Sequence, residues 1–449
     1  MIALPVVVLL WRAKNVATVL VVVFLGLVCG WWRGTTYLKQ MWPYQALTKR
    51  SVVIEGVADS DALYGKQTQL SFDLANLRVI EPYHVKLPGK IAILGFGTSM
   101  VYRGDVVRVE GKLYPTRGSR QASIGFSNIT VLRKSHNYID IVRRRFQSGM
   151  LSALPEPHAS FAMGLLIGQR NTLTDTITQQ LSAVGLTHIV AVSGYNLTII
   201  IMASRIILKK RSKYQATVVS LLLIVGFLLL VGMSASIVRA AIVSSLSLLA
   251  WYYGRQFRPL LLLLIAAAVT AGWYPIYLWS DIGWYLSFLA FYGILIIAPL
   301  VSARIYKDRK PQFMAALLIE TLAAQLMAFP IIMYIFGEFS VVAIISNLLI
   351  VPLVPLAMLL SFIAGLAGMV APMFVGWLVL PARLLLTYML DLIALFSRLP
   401  FALAKPHVTA IAMAAIYATF LFVSFVLWRK TRDKSDIITD IEQQMDEEI

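Results

Sequence analysis

Residues able to do chemistry are scarce in this chain. Its 449 residues include only 22 Asp or Glu, five His and one Cys. The histidines (His84, His136, His158, His188 and His407) are scattered, and Cys29 stands alone in an apolar run. No His, Cys, Asp or Glu spacing suits a metal, and a single cysteine excludes an intrachain disulfide. No catalytic residue, metal or cofactor is therefore expected. What stands out is polarity placed inside apolar sequence. Ser193-Gly194-Tyr195-Asn196 interrupts one such run just after His188. A polar break at membrane depth is tolerated where backbone lines a cavity or is buried in protein. A broken or re-entrant helix lining a path is one reading, and close helix packing through small residues is the other. Arg239 lies in the first turn of an apolar span and Asp281 at the end of another. Glu320 lies deeper and is expected to face the bundle interior. Asn347 precedes Pro352 and Pro355, which should prevent a regular helix there. Charged groups are costly in lipid, so these residues should face protein or water, or snorkel to the interface. His188, Ser193, Gly194, Tyr195, Asn196, Arg239, Asp281, Glu320 and Asn347 are the candidates for lining a channel.

A second constellation is basic and aromatic. Tyr83, Phe96, Tyr102, Arg103, Arg108, Tyr114, Arg117, Arg120 and Phe126 interleave charge with rings, and Arg143, Arg144 and Arg145 follow. Single-stranded nucleic acid is held by basic grooves with aromatic stacking, and such binding weakens steeply with salt. A basic face held near anionic headgroups is the competing reading. Arg103, Arg108, Tyr114, Arg117, Arg120, Arg143, Arg144 and Arg145 are the candidates for DNA contact.

The elements that must position these residues belong to a membrane protein. Hydrophobic residues make up 59% and charged residues 14%, which argues against an ordinary soluble enzyme. Val16 to Trp32 is an apolar run of 17 residues, read as an anchor within residues 1–32. Residues 33–134 read as a strand domain, with strands expected at Ser51–Ala58, Gln67–Leu74, Ile91–Leu94, Asp105–Leu113 and Gly125–Leu132. Five short strands suit an OB-like barrel, with a β-sandwich as the alternative. Residues 135–157 read as an amphipathic helix at the membrane surface, with Ile139, Val142, Phe146 and Met150 on one face. Residues 158–428 hold the remaining spans, expected at Val184–Leu208, Ala216–Met233, Ile237–Tyr253, Leu260–Trp273, Ile282–Val301, Phe313–Phe336, Val341–Leu360, Ser361–Leu380 and Thr409–Trp428. Ala382–Arg398, with Arg383, Asp391 and Arg398, is expected in the interface. Residues 429–449 form a charged tail.

The formal charge of +18 divides along these lines. Arg33–Arg145 holds 18 Lys or Arg against 8 Asp or Glu, a net of +10. Much of the rest lies in four loop clusters, around Lys209, Arg255, Arg304 and Arg429. The positive-inside rule puts these in the cytoplasm and the strand domain outside the membrane.

The segments GLLIGQRNTLT (Gly164–Thr174), GLTHIVAVSGYNLTII (Gly185–Ile200), SIVRAAI (Ser236–Ile242), SDIGWYLSFLAFYGI (Ser280–Ile294) and FPIIMYIFGEFSVVAIISNLLIVPLVPL (Phe329–Leu356) occur in that order. They closely resemble the competence region of ComEC-family DNA-uptake proteins, and the anchor and strand domain resemble that family's extracytoplasmic OB-like region. The likeness runs from about residue 16 to about residue 425. Two departures stand out: Tyr195-Asn196 replaces the usual leucine-histidine, and Gln169-Arg170 replaces an aspartate-arginine. Asn196 hydrogen-bonds but does not titrate.

The resemblance implies a channel passing single-stranded DNA inward in natural transformation. The metallo-β-lactamase-like domain of many members has no counterpart here, so a separately encoded nuclease would act instead, if one is used. No Walker motif is present, so the implied partners include a cytoplasmic helicase-like motor and an external DNA receptor or pilus, beside the lipid bilayer. The expected fold class is a polytopic α-helical membrane protein with an extracytoplasmic small β-barrel. A small-solute transporter is the first alternative. An integral-membrane enzyme acting on lipid-linked substrates is the second, with only Ser193 and His188 as isolated candidate groups.

Overall fold

A computed structural model describes residues 16–64, 69–96, 101–116, 120–169, 172–190, 194–208, 211–232, 235–254, 259–306, 311–370, 375–400, 402–405 and 408–431. The chain divides into two compact units, Met1–Ser135 with Ala268–Asp281, and His136–Ala267 with Ile282–Ile449.

In the first unit, helix α1 (Val16–Leu47) leads into strands β1 (Ser51–Ala58), β2 (Leu63–Tyr64), β3 (Gln69–Glu81), β4 (Val85–Phe96), β5 (Val106–Pro115) and β6 (Ala122–Arg133). Strand β1 alternates outward and inward residues from Ser51 to Ala58, the two-residue period of a strand with one wet face. It pairs antiparallel with both β3 and β5. Strand β3 pairs with β4, β4 runs parallel to β6, and β6 returns to β5. The five long strands therefore close in the circuit β1-β3-β4-β6-β5-β1, an OB-like barrel rather than a sandwich. Ile54, Leu74, Val79, Ile91, Ile93, Val107, Val109 and Ile124 fill it. Gly56 allows the closure, because a Cβ there would lie 2.8 Å from the Ala75 carbonyl oxygen.

The expected second and third strands are longer than their sequence suggested. They form one hairpin from Gln69 to Phe96, because Leu77, Val79 and Leu87 continue the inward alternation. The outward Arg78 and Lys86 disguise it as loop. The anchor helix also runs on past Trp32. Its last turn delivers Tyr44 and Leu47 to the barrel core, and the Tyr44 hydroxyl donates to the Pro88 carbonyl at 2.7 Å. Arg33 donates to the carbonyls of Gly272 and Trp273 at 2.7 and 2.9 Å.

The second unit is helical. Among the described residues, six segments are long and apolar enough to cross a membrane: Lys213–Val231, Ile282–Tyr306, Phe313–Phe336, Ala343–Val370, Gly376–Ser397 and Ala410–Leu427. The shorter apolar helices are His158–Ile167, Ser236–Tyr252 and Leu260–Trp273, the last of which ends among residues of the first unit. Three sequence expectations are corrected. Val184–Leu208 is not a span beginning at Val184: α4 (Asp175–Ala183) ends just before it, the chain turns at Gly185, and the helices described within it are α5 (Thr187–Val190) and α6 (Gly194–Ile207). Gly185 has φ +72°, a conformation unsuited to continuing a right-handed helix, and its Cα packs against Ala343 and Ser340.

Val341–Leu360 and Ser361–Leu380 are likewise not two spans. Helix α14 (Ala343–Ile350), a tight turn at Val351–Leu353 and helix α15 (Val354–Val370) make one span. Pro352 and Pro355 fall in first-turn positions, where the missing N–H has no intrahelical partner to lose. The segment expected in the interface, Ala382–Arg398, belongs instead to helix α16 (Val375–Ser397). Its Ala382, Leu386, Met389 and Ile393 recur at helical spacing and are fully buried, while Arg383 and Asp391 point outward.

The amphipathic helix, α2 (Tyr138–Ala153), packs on α15 within this unit. Gly149 meets Gly365, Gly368 and Met369 with no room for a Cβ on either helix. Met150 is fully buried and Phe146 packs with Phe362 at 5.8 Å between ring centroids.

Candidate functional site

In the helical unit the site is built around the discontinuous stretch from α4 to α6. Each chain break frees carbonyls that must find donors, since an unpaired buried carbonyl is costly. The Val184 carbonyl, released where α4 ends, accepts from the Ser346 hydroxyl at 2.7 Å, and Ser346 is fully buried on α14. Helix α3 (His158–Ile167) ends on left-handed Gly168. Its Leu165 carbonyl accepts from the Asn196 side-chain amide at 2.8 Å. Asn196 is 1% exposed on α6, so one polar side chain ties the end of α3 to α6. Gly194 lies on α6, and a Cβ there would lie 2.9 Å from Ala240 Cβ and 3.1 Å from Arg239 Nη2.

Arg239 comes from α8 (Ala235–Tyr252), following α7 (Lys213–Val231), and is 7% exposed. Its Nη1 donates to the Ser287 carbonyl on α11 (Ile282–Tyr292). Its guanidinium carbon lies 4.9 Å from the centre of the Phe291 ring and 5.7 Å from that of Phe288. Gly194, Asn196 and Arg239 are thus brought together. Asn347 is buried beside Ser346, and among the described residues its side-chain oxygen has no donor. His188 is exposed, with Nδ1 3.1 Å from the Gly185 carbonyl oxygen. Glu320 is exposed on Phe313–Phe336 rather than packed inside, one turn before the buried Ala323. Ser193 and the side chain of Tyr195 lie outside the described residues.

In the barrel unit Asp281 follows the short helix Tyr277–Ser280 and is partly buried. The expected DNA contacts divide. Arg108 is bonded to the Glu55 carboxylate at 2.6 and 3.0 Å, and Arg120 to Asp73 at 2.6 and 3.1 Å. Burial pushes the Asp73 carboxyl above the usual carboxylate range although the Arg120 guanidinium lies beside it. Arg103 holds Asp61 through its backbone N–H at 2.9 Å. Tyr114 is exposed, and Arg117 lies outside the described residues. Of the three arginines on α2, in the helical unit, Arg145 is exposed and Arg143 and Arg144 are half-buried.

Register adds cations that sequence reasoning missed. Lys86 faces Arg78 across β4 and β3, Arg78 faces Glu55 on β1, and Glu55 faces Arg108 on β5. One row around the barrel therefore carries three cations and one carboxylate, with Arg78 and Lys86 both exposed. The only sequence signal was charge interrupting an alternating pattern. At another place Phe126, 85% exposed, packs with Phe96 at 6.4 Å between ring centroids.

Among the described residues no group of three or more His, Cys, Asp or Glu could hold a metal ion. Six candidate spans among the described residues and a closed small barrel define a multi-pass membrane protein with a β-barrel domain. The chain belongs to the Competence protein family, whose profile matches residues 165–431. It is also similar to ComE operon protein 3 of Bacillus subtilis (strain 168), at 25% identity over 226 residues. That match covers 50% of this chain and 28% of the relative's length. No solved structure matches.

Proposed function

We propose that this chain serves DNA uptake in competence, passing a single strand inward through the helical unit. The observation that carries the reading is that the family match, residues 165–431, contains the discontinuous helices and the buried Asn196 and Arg239. Interrupted helices with polar interiors are what membrane proteins use where a hydrophilic solute must cross. The barrel supports the reading with its row of Lys86, Arg78 and Arg108 and its exposed Phe96–Phe126 pair, a combination suited to phosphates and bases. By the positive-inside rule the basic loop clusters favour a barrel outside the membrane, where it would meet incoming DNA. Energy would come from a cytoplasmic helicase-like motor, and DNA would be delivered by an external receptor or pilus.

Uptake of labelled DNA by a deletion strain tests this. Loss of internalised label, restored by the wild-type gene, is expected. Internalisation and integration at wild-type rates without the gene would sink the proposal. A small-solute transporter would leave the purified protein without salt-dependent affinity for oligonucleotides.

A further inference from the structure

We infer that Arg239, packed against Gly194 of α6, forms an internal site for a phosphodiester oxyanion of the crossing strand. This rests on the uptake reading and gives it a specific contact. Four observations converge. Arg239 is almost fully buried, and among the described residues it makes no ion pair. Its Nη1 is committed to the Ser287 carbonyl and its flat face to Phe288 and Phe291, which fix the plane of the guanidinium. Its Nε is buried, and among the described residues it has no hydrogen-bond partner. Its Nη2 lies against Gly194 of α6, where a Cβ would come within 3.1 Å of it.

The chemistry follows from that geometry. Nε–H and one Nη–H of a guanidinium project side by side, the fork that grips two oxygens of a phosphate or carboxylate. A guanidinium taken out of water without a counter-charge is expensive, so the site is poised for an anion to complete it. Arg suits this better than Lys, because the ring contacts and the fork both need a planar cation. Phosphodiester is the anion the uptake reading supplies, one after another along a strand.

The test uses the full chain in nanodiscs of zwitterionic phosphatidylcholine. The probes are a short fluorescent oligothymidylate and its uncharged methylphosphonate counterpart. Wild type is expected to bind the phosphodiester form and not the methylphosphonate. Arg239→Gln should weaken binding by about 10-fold or more, and reduce the slope of log affinity against log salt by about 0.7, the share of one phosphate on a single strand. Arg239→Lys should fall between the two. Thermal unfolding shows whether each variant is folded. If Arg239→Gln is not, Arg239→Lys decides.

Wild-type affinity and slope in folded variants overturn the site while leaving the uptake reading intact. A wild type that binds no oligonucleotide overturns both. An effect of Arg239 that appears only with phosphatidylglycerol in the nanodisc assigns the site to a lipid headgroup and overturns the strand assignment.

Discussion

Asn196 donates its side-chain amide to the Leu165 carbonyl, 31 residues earlier, in a fully buried contact of 2.8 Å. The bond joins the end of α3 to α6. It is held by an amide rather than a titrating group, so it is the same at every physiological pH. Asn196→Ala strands the Leu165 carbonyl and should cost about 1–3 kcal/mol. Asn196→Asp keeps the shape but loses the donor and adds a buried charge, so it should be worse. Thermal unfolding in detergent ranks the two. Asp tolerated better than Ala would mean that the bond does not matter.

The crossing of α2 and α15 depends on bare glycine. A Cβ on Gly149 would lie 2.6 Å from the Met369 amide nitrogen and 2.7 Å from the Gly365 carbonyl oxygen. Both are backbone atoms and cannot rotate away. Gly149→Ala should destabilise by about 1–3 kcal/mol or more by forcing the helices apart. Cysteines placed across the crossing would then cross-link more slowly than in the parent. Gly226, whose Cβ would meet nothing within 4 Å, is the control that should accept Ala.

Asp73 gives the barrel an acid-side dependence. Burial raises its carboxyl above the ordinary range, so the folded barrel holds that proton where the unfolded chain has released it. Its contribution to stability is present below the ordinary carboxylate pKa and is lost as pH rises through the raised value. Hydrogen exchange of β3 and β4 amides in the full chain, corrected for intrinsic rates, should show protection falling across that window. Asp73→Asn should flatten the slope. An unchanged slope would place the titrating group elsewhere.

The row across the barrel predicts opposite effects from neighbouring charges. Arg78→Gln and Lys86→Gln should each lower the salt slope of oligothymidylate binding by about 0.7. Glu55→Gln should strengthen binding at low salt, because it releases Arg108 from its carboxylate. Fluorescence anisotropy at several salt concentrations measures all three. Weaker binding after Glu55→Gln would show that Arg108 serves the barrel and not the ligand.

Phe126 combines exposure with an uncommon backbone, φ +53° at 85% exposure. A bulky residue there costs about 1–2 kcal/mol that glycine does not. Phe126→Gly should therefore leave the barrel as stable or more so, while removing the partner of Phe96 and weakening oligonucleotide binding by up to ~1–3 kcal/mol. A loss of stability with unchanged binding would reverse that assignment and make the ring structural.

Much was legible in the residues alone. Apolar runs the length of a bilayer located Lys213–Val231 and Phe313–Phe336 to within a few residues, because a span's length is set by the membrane and not by its neighbours. Alternation located β1 to the residue, because one of its faces is wet. Asn196 stood out as polarity in an apolar run, and it is buried against a helix-end carbonyl.

Only the tertiary structure decided the rest. Whether Pro352 and Pro355 end a helix or open one depends on which N–H groups already lack partners. Whether Arg108 and Arg120 are free depends on Glu55 and Asp73, which are 53 and 47 residues distant in the chain. That Arg239 reaches Gly194 depends on two helices packing through residues that periodicity shows only as apolar. Periodicity reports which face of an element turns inward, and it carries no information about which inward face meets which. That pairing follows from packing and from satisfying buried polar groups across distant segments, so it exists only once the chain has folded.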